Sequence, residues 1–416
     1  MTQRGVLVVG AGQASVQLAC SLRPLGYTDP IRLCGAESHA PYQRPPLSKA
    51  FLAENTGPES LALRTDSFYA SKDIDIRLDV CIEQINLGAN GTGSALTSAG
   101  DRYDFEHLAL TTGARSRRLA VPGAHLPQVM YLRTIDDAHR LRTVLPQAQR
   151  IVVVGGGFVG LEGAAVAQAA GKDVTVVEAS ERLLARAVPP QISEFYLRAH
   201  RQRGTRVLLG AAVGSILGTE AVSGVRLTSG EVIPADLVLV GIGAAPRTEL
   251  AESLGLTCAG GIVVDAACRT SNPHVVSAGD CTVAPHPQDT AELVRLESVP
   301  NAIRQGHTAA STLLGRSDDT SAVPWFWSDQ DTLKLQMAGT FANFDSYVLR
   351  GNPADESCAF LYYRDAKLIG VAAINKTIDF LAARKALDTG LHIPADRAAC
   401  DDTKLKDISL ALQPSF

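Results

Sequence analysis

Val6-Leu7-Val8-Val9-Gly10-Ala11-Gly12-Gln13-Ala14-Ser15 opens the chain, and Ile151-Val152-Val153-Val154-Gly155-Gly156-Gly157-Phe158-Val159-Gly160 repeats its plan further on. Each begins as an apolar run of strand length, too short and too β-branched for a buried helix. Each then turns through glycines into a stretch that reads as a helix. The first glycine makes the tight turn, the second lets the backbone approach a pyrophosphate, and the third lets helix and strand pack closely. The helix N-terminus adds amides and a positive dipole end, which suit phosphate. Ser15 stands where the first copy should have its third glycine, a departure a small residue tolerates. Two such units imply two dinucleotides held by one chain. A flavin and a nicotinamide are the pair that makes chemical sense, with hydride taken from one and electrons sent elsewhere.

The chain has 416 residues, 46% hydrophobic and 20% charged, enough for two or three α/β domains with sizeable cores. A formal net charge of -4 gives no overall drive toward nucleic acid. Cys20, Cys34, Cys81, Cys258, Cys268, Cys281, Cys358 and Cys400 are scattered, without the close pairing of a redox dithiol, a zinc site or an iron–sulfur cluster. The start of the chain runs into a strand without a leader-like segment, and no run of about 18 apolar residues occurs. The expectation is a soluble cytoplasmic protein, without membrane or metal.

The first βαβ unit reads as strand 4–9, a helix over about 14–25 and strand 31–34, with Glu37 just beyond. A proline- and charge-rich loop, Pro41 to Lys49, follows. Residues 74–80 read as a strand ending Leu78-Asp79-Val80, residues 96–97 and 103–105 as hairpin pieces, and 107–114 as a strand closing in a small-residue turn. The second unit reads as strand 151–154, a helix over about 159–170 and strand 173–177, closed by Glu178. Strands 206–209, 224–227 and 237–240 follow, and near Gly261 the pattern returns to the style of the first unit. This predicts a discontinuous first domain, 1–114 and 245–322, interrupted by a second at 115–244. The stretch 323–416 carries both tryptophans and reads as a small α+β domain. The predicted class is α/β: two Rossmann-like, glutathione-reductase-like domains plus that C-terminal domain.

Arg44-Pro45-Pro46-Leu47-Ser48-Lys49, Thr112-Gly113-Ala114, the second fingerprint with Leu161-Glu162, Ser277-Ala278-Gly279-Asp280, Glu297-Ser298-Val299-Pro300-Asn301-Ala302 and Pro324-Trp325-Phe326-Trp327-Ser328-Asp329-Gln330 occur in that order. Together they resemble the FAD-dependent NADH:ferredoxin reductases of oxygenase systems, among them putidaredoxin and rubredoxin reductases and the reductases of aromatic-ring dioxygenases. The resemblance runs nearly end to end. It implies a split FAD domain, an inserted NAD domain and a C-terminal domain over the flavin. It implies hydride transfer from NADH to FAD, then single electrons to a [2Fe-2S] ferredoxin that feeds an oxygenase. Rubredoxin or oxygen is the alternative acceptor. A flavoprotein that senses NADH by changing conformation and dimerising is the alternative of another kind. Monomer and homodimer both remain open.

Gly10, Gly12, Ala14 and Ser15 are the candidates for the FAD pyrophosphate, with Glu37 for the adenosine ribose or simply as a solvated acid. By resemblance, Arg44 lies along the FAD phosphates and Lys49 beside the reactive flavin edge, where a cation stabilises a reduced ring. Val80 contacts adenine, Asp280 the ribitol hydroxyls, and Val299 and Trp327 the flavin ring; Thr112, Gly113 and Arg133 complete the FAD set. An aliphatic Val299 departs from dioxygenase reductases that carry an aromatic there. Glu162 is either an acid placed by the helix dipole or the partner of Lys49 beside the nicotinamide. Lys49 and Glu162 are the residues assigned to the chemistry. Gly155, Gly157, Phe158, Val159, Gly160 and Gly243 form the NAD set. Glu178 ends its strand where a carboxylate accepts from ribose hydroxyls and repels a 2′-phosphate, which favours NADH. Arg182 and Arg186 serve the NAD phosphates or the surface. Arginines and lysines near the flavin edge should steer an acidic ferredoxin, Arg304 and Lys334 among the guesses.

Overall fold

The computed structural model describes residues 4–53, 57–287, 289–317 and 322–408. The ends 1–3 and 409–416 and the segment 318–321, which fall inside the expected domains, lie outside the described residues. The chain forms two compact units. The first holds Met1–Gln43, Gly57–Arg115 and Ala245–Ala322, and the second Arg44–Thr56, Ser116–Ala244 and Val323–Phe416.

The first unit is built on a parallel sheet of Val275–Ser277, His107–Leu110, Val6–Val9, Ile31–Cys34 and Ile74–Arg77, in that spatial order. Its middle strand is the fingerprint strand. Val9 lies opposite Cys34 on one side and Leu110 on the other, so the glycine turn begins where three strands end together. The strand is buried on both faces, which is why its sequence is continuously apolar. Val6 and Val8 pack under the helices Gln13–Leu22 and Val299–Leu313. Leu7 and Val9 face the other way, over a three-stranded antiparallel sheet of Ile82–Leu87, Gly93–Thr97 and Arg102–Phe105. Full burial of each Val or Leu contributes roughly 1.5–3 kcal/mol. The two helices approach very closely: a Cβ at Gly306 would lie 2.6 Å from the Ala14 carbonyl oxygen.

The second unit contains the same arrangement. Its parallel sheet runs Arg206–Leu208, Asp173–Val177, Arg150–Val154, Leu237–Val240 and Val129–Tyr131, again with the fingerprint strand in the middle. Val154 stands opposite Val177 and Val240. One face meets a three-stranded antiparallel sheet, Val213–Gly218, Val222–Leu227 and Val232–Pro234, through Val152, Val154, Ile216 and Val225.

The C-terminal stretch adds a five-stranded antiparallel sheet in the order Trp325–Gln330, Leu333–Gly339, Lys367–Ile374, Ser357–Arg364, Ser346–Asn352. Phe380 and Ala383 of the helix Thr377–Thr389 seal one face over Leu361, Val371 and Ala373. Its ties to the rest of the second unit are polar and specific. His200 Nε2 and Gln330 Oε1 are 2.8 Å apart, and Arg203 makes a fork to Glu356 at 2.6 and 2.8 Å while also reaching Asp331. Residues 44–53 cluster with this unit for a similar reason. Phe51, 1% exposed, sits against His139, and the Arg142 guanidinium lies 4.9 Å over its ring.

Several elements differ in extent from the sequence reading. The strand expected over 74–80 ends at Arg77; Asp79 has φ +56°, which breaks the strand, and Val80 instead donates its N–H to Gly35 O. Pro45–Ser48 is a 3-10 turn rather than open loop, since two prolines preset its φ angles. The strand expected over 107–114 stops at Leu110, and the first helix, expected to run to about residue 25, ends at Leu22.

Candidate functional site

In the first unit, Gly10 has φ +123°, and a Cβ there would lie 2.2 Å from Thr111 O. Only glycine fits. Gly12 is the N-cap of the helix Gln13–Leu22 and makes no side-chain capping bond, and a Cβ on it would meet nothing within 4 Å. The first-turn amides therefore have no side-chain cap, no acid stands in that turn, and open space lies beside Gly12. That fits a bound pyrophosphate, which would satisfy the amides. Ser15 is fully buried and donates to Gly12 O at 2.8 Å. Gly279 packs against Ala14, which brings Asp280 next to the same turn. Gly279 N donates to Gln305 Oε1 at 2.8 Å. Thr112 donates to Arg247 O at 2.6 Å, and Gly113 O accepts from Arg247 N. Val299 is the first residue of its helix, half-buried, behind the Ser298 cap. Glu37 Oε2 accepts from Tyr42 Oη at 2.6 Å.

In the second unit, Gly155 has φ +106°, and a Cβ there would lie 2.4 Å from Gly241 O. Gly157 is again an uncapped N-cap with no acid in the following turn. Gly160 is constrained more sharply, with a Cβ falling 2.2 Å from Gly155 O. Glu178 Oε2 accepts from Gly156 N at 2.6 Å and Oε1 from Ser180 N at 2.7 Å, so its carboxylate is fixed against the glycine turn. The Arg186 guanidinium reaches the space beside Gly243, φ +95°. Arg182 is turned inward: it donates to Val188 O, Ala185 O and Ser193 Oγ and ties its own loop together. Val159 is exposed, and the Phe158 and Phe326 rings lie 4.6 Å apart, tilted by 41°.

The second unit also brings Lys49 and Glu162 together. Lys49 Nζ lies 3.0 Å from Glu162 Oε1, and Glu162 is only 4% exposed. Arg44 and Arg133 meet through the backbone, Arg44 Nη1 donating to Arg133 O at 2.9 Å. Trp327 is half-buried and lies 5.4 Å from Trp325, ring to ring. Arg304 is half-buried and donates to Asn301 Oδ1, while Lys334 is exposed.

Residues that the sequence reading passed over surround this pair. Ser48 Oγ donates to Glu162 Oε2, and Ser328 Oγ donates to Oε1 at 2.6 Å. Gln330 and His200 stand behind Ser328. Ser48 and Ser328 lie inside stretches that were quoted, but nothing in their spacing says that they face one carboxylate. Among the described residues no cluster of His, Cys, Asp or Glu is placed to hold a metal, and no helix is long and apolar enough to cross a membrane.

Residues 4–306 match the pyridine nucleotide-disulphide oxidoreductase family, and residues 325–409 match the reductase C-terminal family. The chain belongs to the pyridine nucleotide-disulphide oxidoreductases. It is an oxidoreductase with two Rossmann-like domains, in a family that binds FAD and NAD(P)H. Rhodocoxin reductase of Rhodococcus erythropolis is 42% identical over 402 residues, 96% of this chain and 93% of its own. The ferredoxin reductase for the CYP199A2 system of Rhodopseudomonas palustris superposes with a TM-score of 0.93 at 40% identity, covering 97% of this chain and 99% of that one. The reductase in a covalent putidaredoxin reductase–putidaredoxin complex gives 0.92 at 34%, covering 97% and 98%.

Proposed function

We propose that this chain is an NADH-dependent, FAD-containing ferredoxin reductase, cytoplasmic, that supplies a [2Fe-2S] ferredoxin of an oxygenase system. The observation that carries this reading is the ion pair of Lys49 with the buried Glu162, held in one unit with a glycine turn suited to the nicotinamide dinucleotide. Its relatives over nearly the whole chain are reductases of small electron carriers. Bound FAD would supply the conversion between two-electron hydride transfer and one-electron release.

The chain's own residues bind and orient. Gly10 and Gly12 admit one pyrophosphate at the first helix, with Asp280 beside it for ribitol hydroxyls. Gly155 and Gly157 admit the other. Glu178, already pinned to Gly156 N, presents its acid to the ribose and repels a 2′-phosphate, which selects NADH. Arg186 beside Gly243 is the cation for the nicotinamide-side phosphates. Lys49, held by Glu162, would place a positive charge at the flavin edge, and Trp327 would stand against the ring. The cysteines favour an exit by single electrons over a dithiol: all eight are free, and burial pushes the Cys34 and Cys268 thiols up to about 12 and Cys358 to about 11.

The test is stopped-flow reduction of the yellow holoprotein by NADH, followed by cytochrome c reduction with and without a [2Fe-2S] ferredoxin. Fast reduction with ferredoxin-dependent turnover is expected. Turnover with rubredoxin alone, direct reaction with oxygen, or slow reduction coupled to dimerisation would each overturn the reading.

A further inference from the structure

Glu162 receives three donors, two from the neighbouring residues Ser48 and Lys49 and one from a distant strand. Ser48 closes the 3-10 turn Pro45–Ser48, stiffened by two prolines. Ser328 lies inside the strand Trp325–Gln330, paired with Leu335 of the next strand. Lys49 Nζ is the third. Both hydroxyls are buried, Ser48 at 5% and Ser328 at 0% exposure. Behind Ser328 the hydrogen bonds run in one direction. Gln330 Nε2 donates to Ser328 Oγ at 3.4 Å, a long bond, and Gln330 Oε1 faces His200 Nε2 at 2.8 Å. An amide oxygen only accepts, so His200 carries its proton on Nε2. Every donor in the chain points toward Glu162.

We propose that Ser48 and Ser328 are positioning residues for the Lys49–Glu162 pair, with Gln330 and His200 fixing the direction in which Ser328 donates. The proposal rests on the reading above, in which Lys49 lies at the flavin edge. A carboxylate buried this deeply stays charged only while its lone pairs are satisfied. Lys49 is a long, flexible side chain and cannot supply that order by itself. The serines come from stiff elements and can. They hold the carboxylate as an anion in one rotamer, and the anion in turn holds the ammonium. Lys49 lies against this carboxylate, and the Tyr196 phenol is pushed up by burial and then by the Glu162 charge. His200, which stands behind Gln330, is held below its usual range by burial, with Arg203 and Asp331 as the charges that act on it.

The experiment uses the oxidised FAD-loaded full chain and its Ser328→Ala, Ser328→Thr and Ser48→Ala variants. Infrared spectra at neutral pH follow the carboxylate bands that Glu162→Gln removes, and stopped-flow separates the limiting reduction rate from NADH affinity. Loss of one donor to a charged group should slow the limiting rate about tenfold. NADH affinity should stay within twofold of wild type. The Glu162 carboxylate bands should shift in Ser328→Ala, because one oxygen has lost its hydroxyl donor. Ser328→Thr, which keeps the hydroxyl, should restore both. Carboxylate bands and a rate equal to wild type in Ser328→Ala, or no rescue by threonine, would overturn the proposal. Should Ser328→Ala fail to fold, Ser48→Ala carries the same two readouts. A wild type that NADH does not reduce would sink the functional reading alone, because the infrared bands still decide the positioning claim.

Discussion

The two glycine turns have one design and different tolerances. In the first unit the third fingerprint position accepts Ser15, whose hydroxyl finds Gly12 O. In the second, Gly160 has no room for even a methyl group, with Gly155 O 2.2 Å from its Cβ position. The neighbouring strand follows the same rule. Thr111 stands after Leu110 in the first unit and bonds back to Val9 O. Gly241 stands after Val240 in the second, where a Cβ would lie 3.1 Å from the Gly160 backbone. The first unit places its closest helix contact elsewhere, at Gly306 against Ala14. A fingerprint glycine is thus required where its own helix presses on the turn, and replaceable where a second helix takes up the close contact.

The largest effect should come from Gly160→Val. Overpacking against backbone should cost about 3 kcal/mol or more. Titration with NADH should show binding lost while the protein stays yellow; retained NADH affinity would break the comparison. Glu178→Arg comes next. It removes the acceptor that pins Gly156 N and adds a charge suited to a 2′-phosphate, so kcat/KM for NADH should fall about tenfold or more and NADPH should gain. Unchanged NADH kinetics would reject the ribose role. Ser15→Gly should be mild, about 1 kcal/mol or less by thermal melting, with FAD kept. An FAD-free product would show that the serine does more than fill space.

The smallest effect lies at the far ends of the strands. In the second unit Asp236 accepts from Gln149 N and Arg150 N and pairs with Arg150, which holds its carboxyl down to about 2. An acid lowered in the folded state stabilises above its unfolded value, about 3.9, and that share fades as pH falls toward 2. Asp236→Asn should therefore lower the melting temperature at neutral pH by a few degrees at most, and flatten its fall between about pH 4 and pH 2. In the first unit the corresponding edge uses backbone alone, Gly5 O accepting from Glu106 N and His107 N, so no such acid sensitivity is expected there.

Much of the site was legible before any coordinates. The apolar runs 6–9 and 151–154 could only be central buried strands, and Gly10 and Gly155 could only be their turns. Glu178 was singled out because it directly follows the strand end Val177. Glu37 looked displaced because Cys34 is the residue aligned with Val177, which leaves it two positions further along. Arg182 looked like a phosphate ligand by nearness in sequence, yet its guanidinium points into its own loop, a matter of rotamer and packing. Val80 was read into a strand because its side chain is apolar; the positive φ at Asp79 has no signature in an alternation pattern.

Sequence alone determined the two parallel sheets, the glycine turns and the acid that follows the strand Asp173–Val177, because strand burial, positive φ and helix-end geometry act over a few neighbouring residues. Tertiary structure alone put Ser48 and Ser328 on Glu162, while its pairing with Lys49 was offered beforehand only by resemblance. Its partners Ser48, Lys49 and Ser328 are more than a hundred positions away along the chain. A serine hydroxyl reaches only about 3 Å. Local order can place such a group on a strand or a turn, and only the packing of three distant elements can bring it within that reach of one carboxylate.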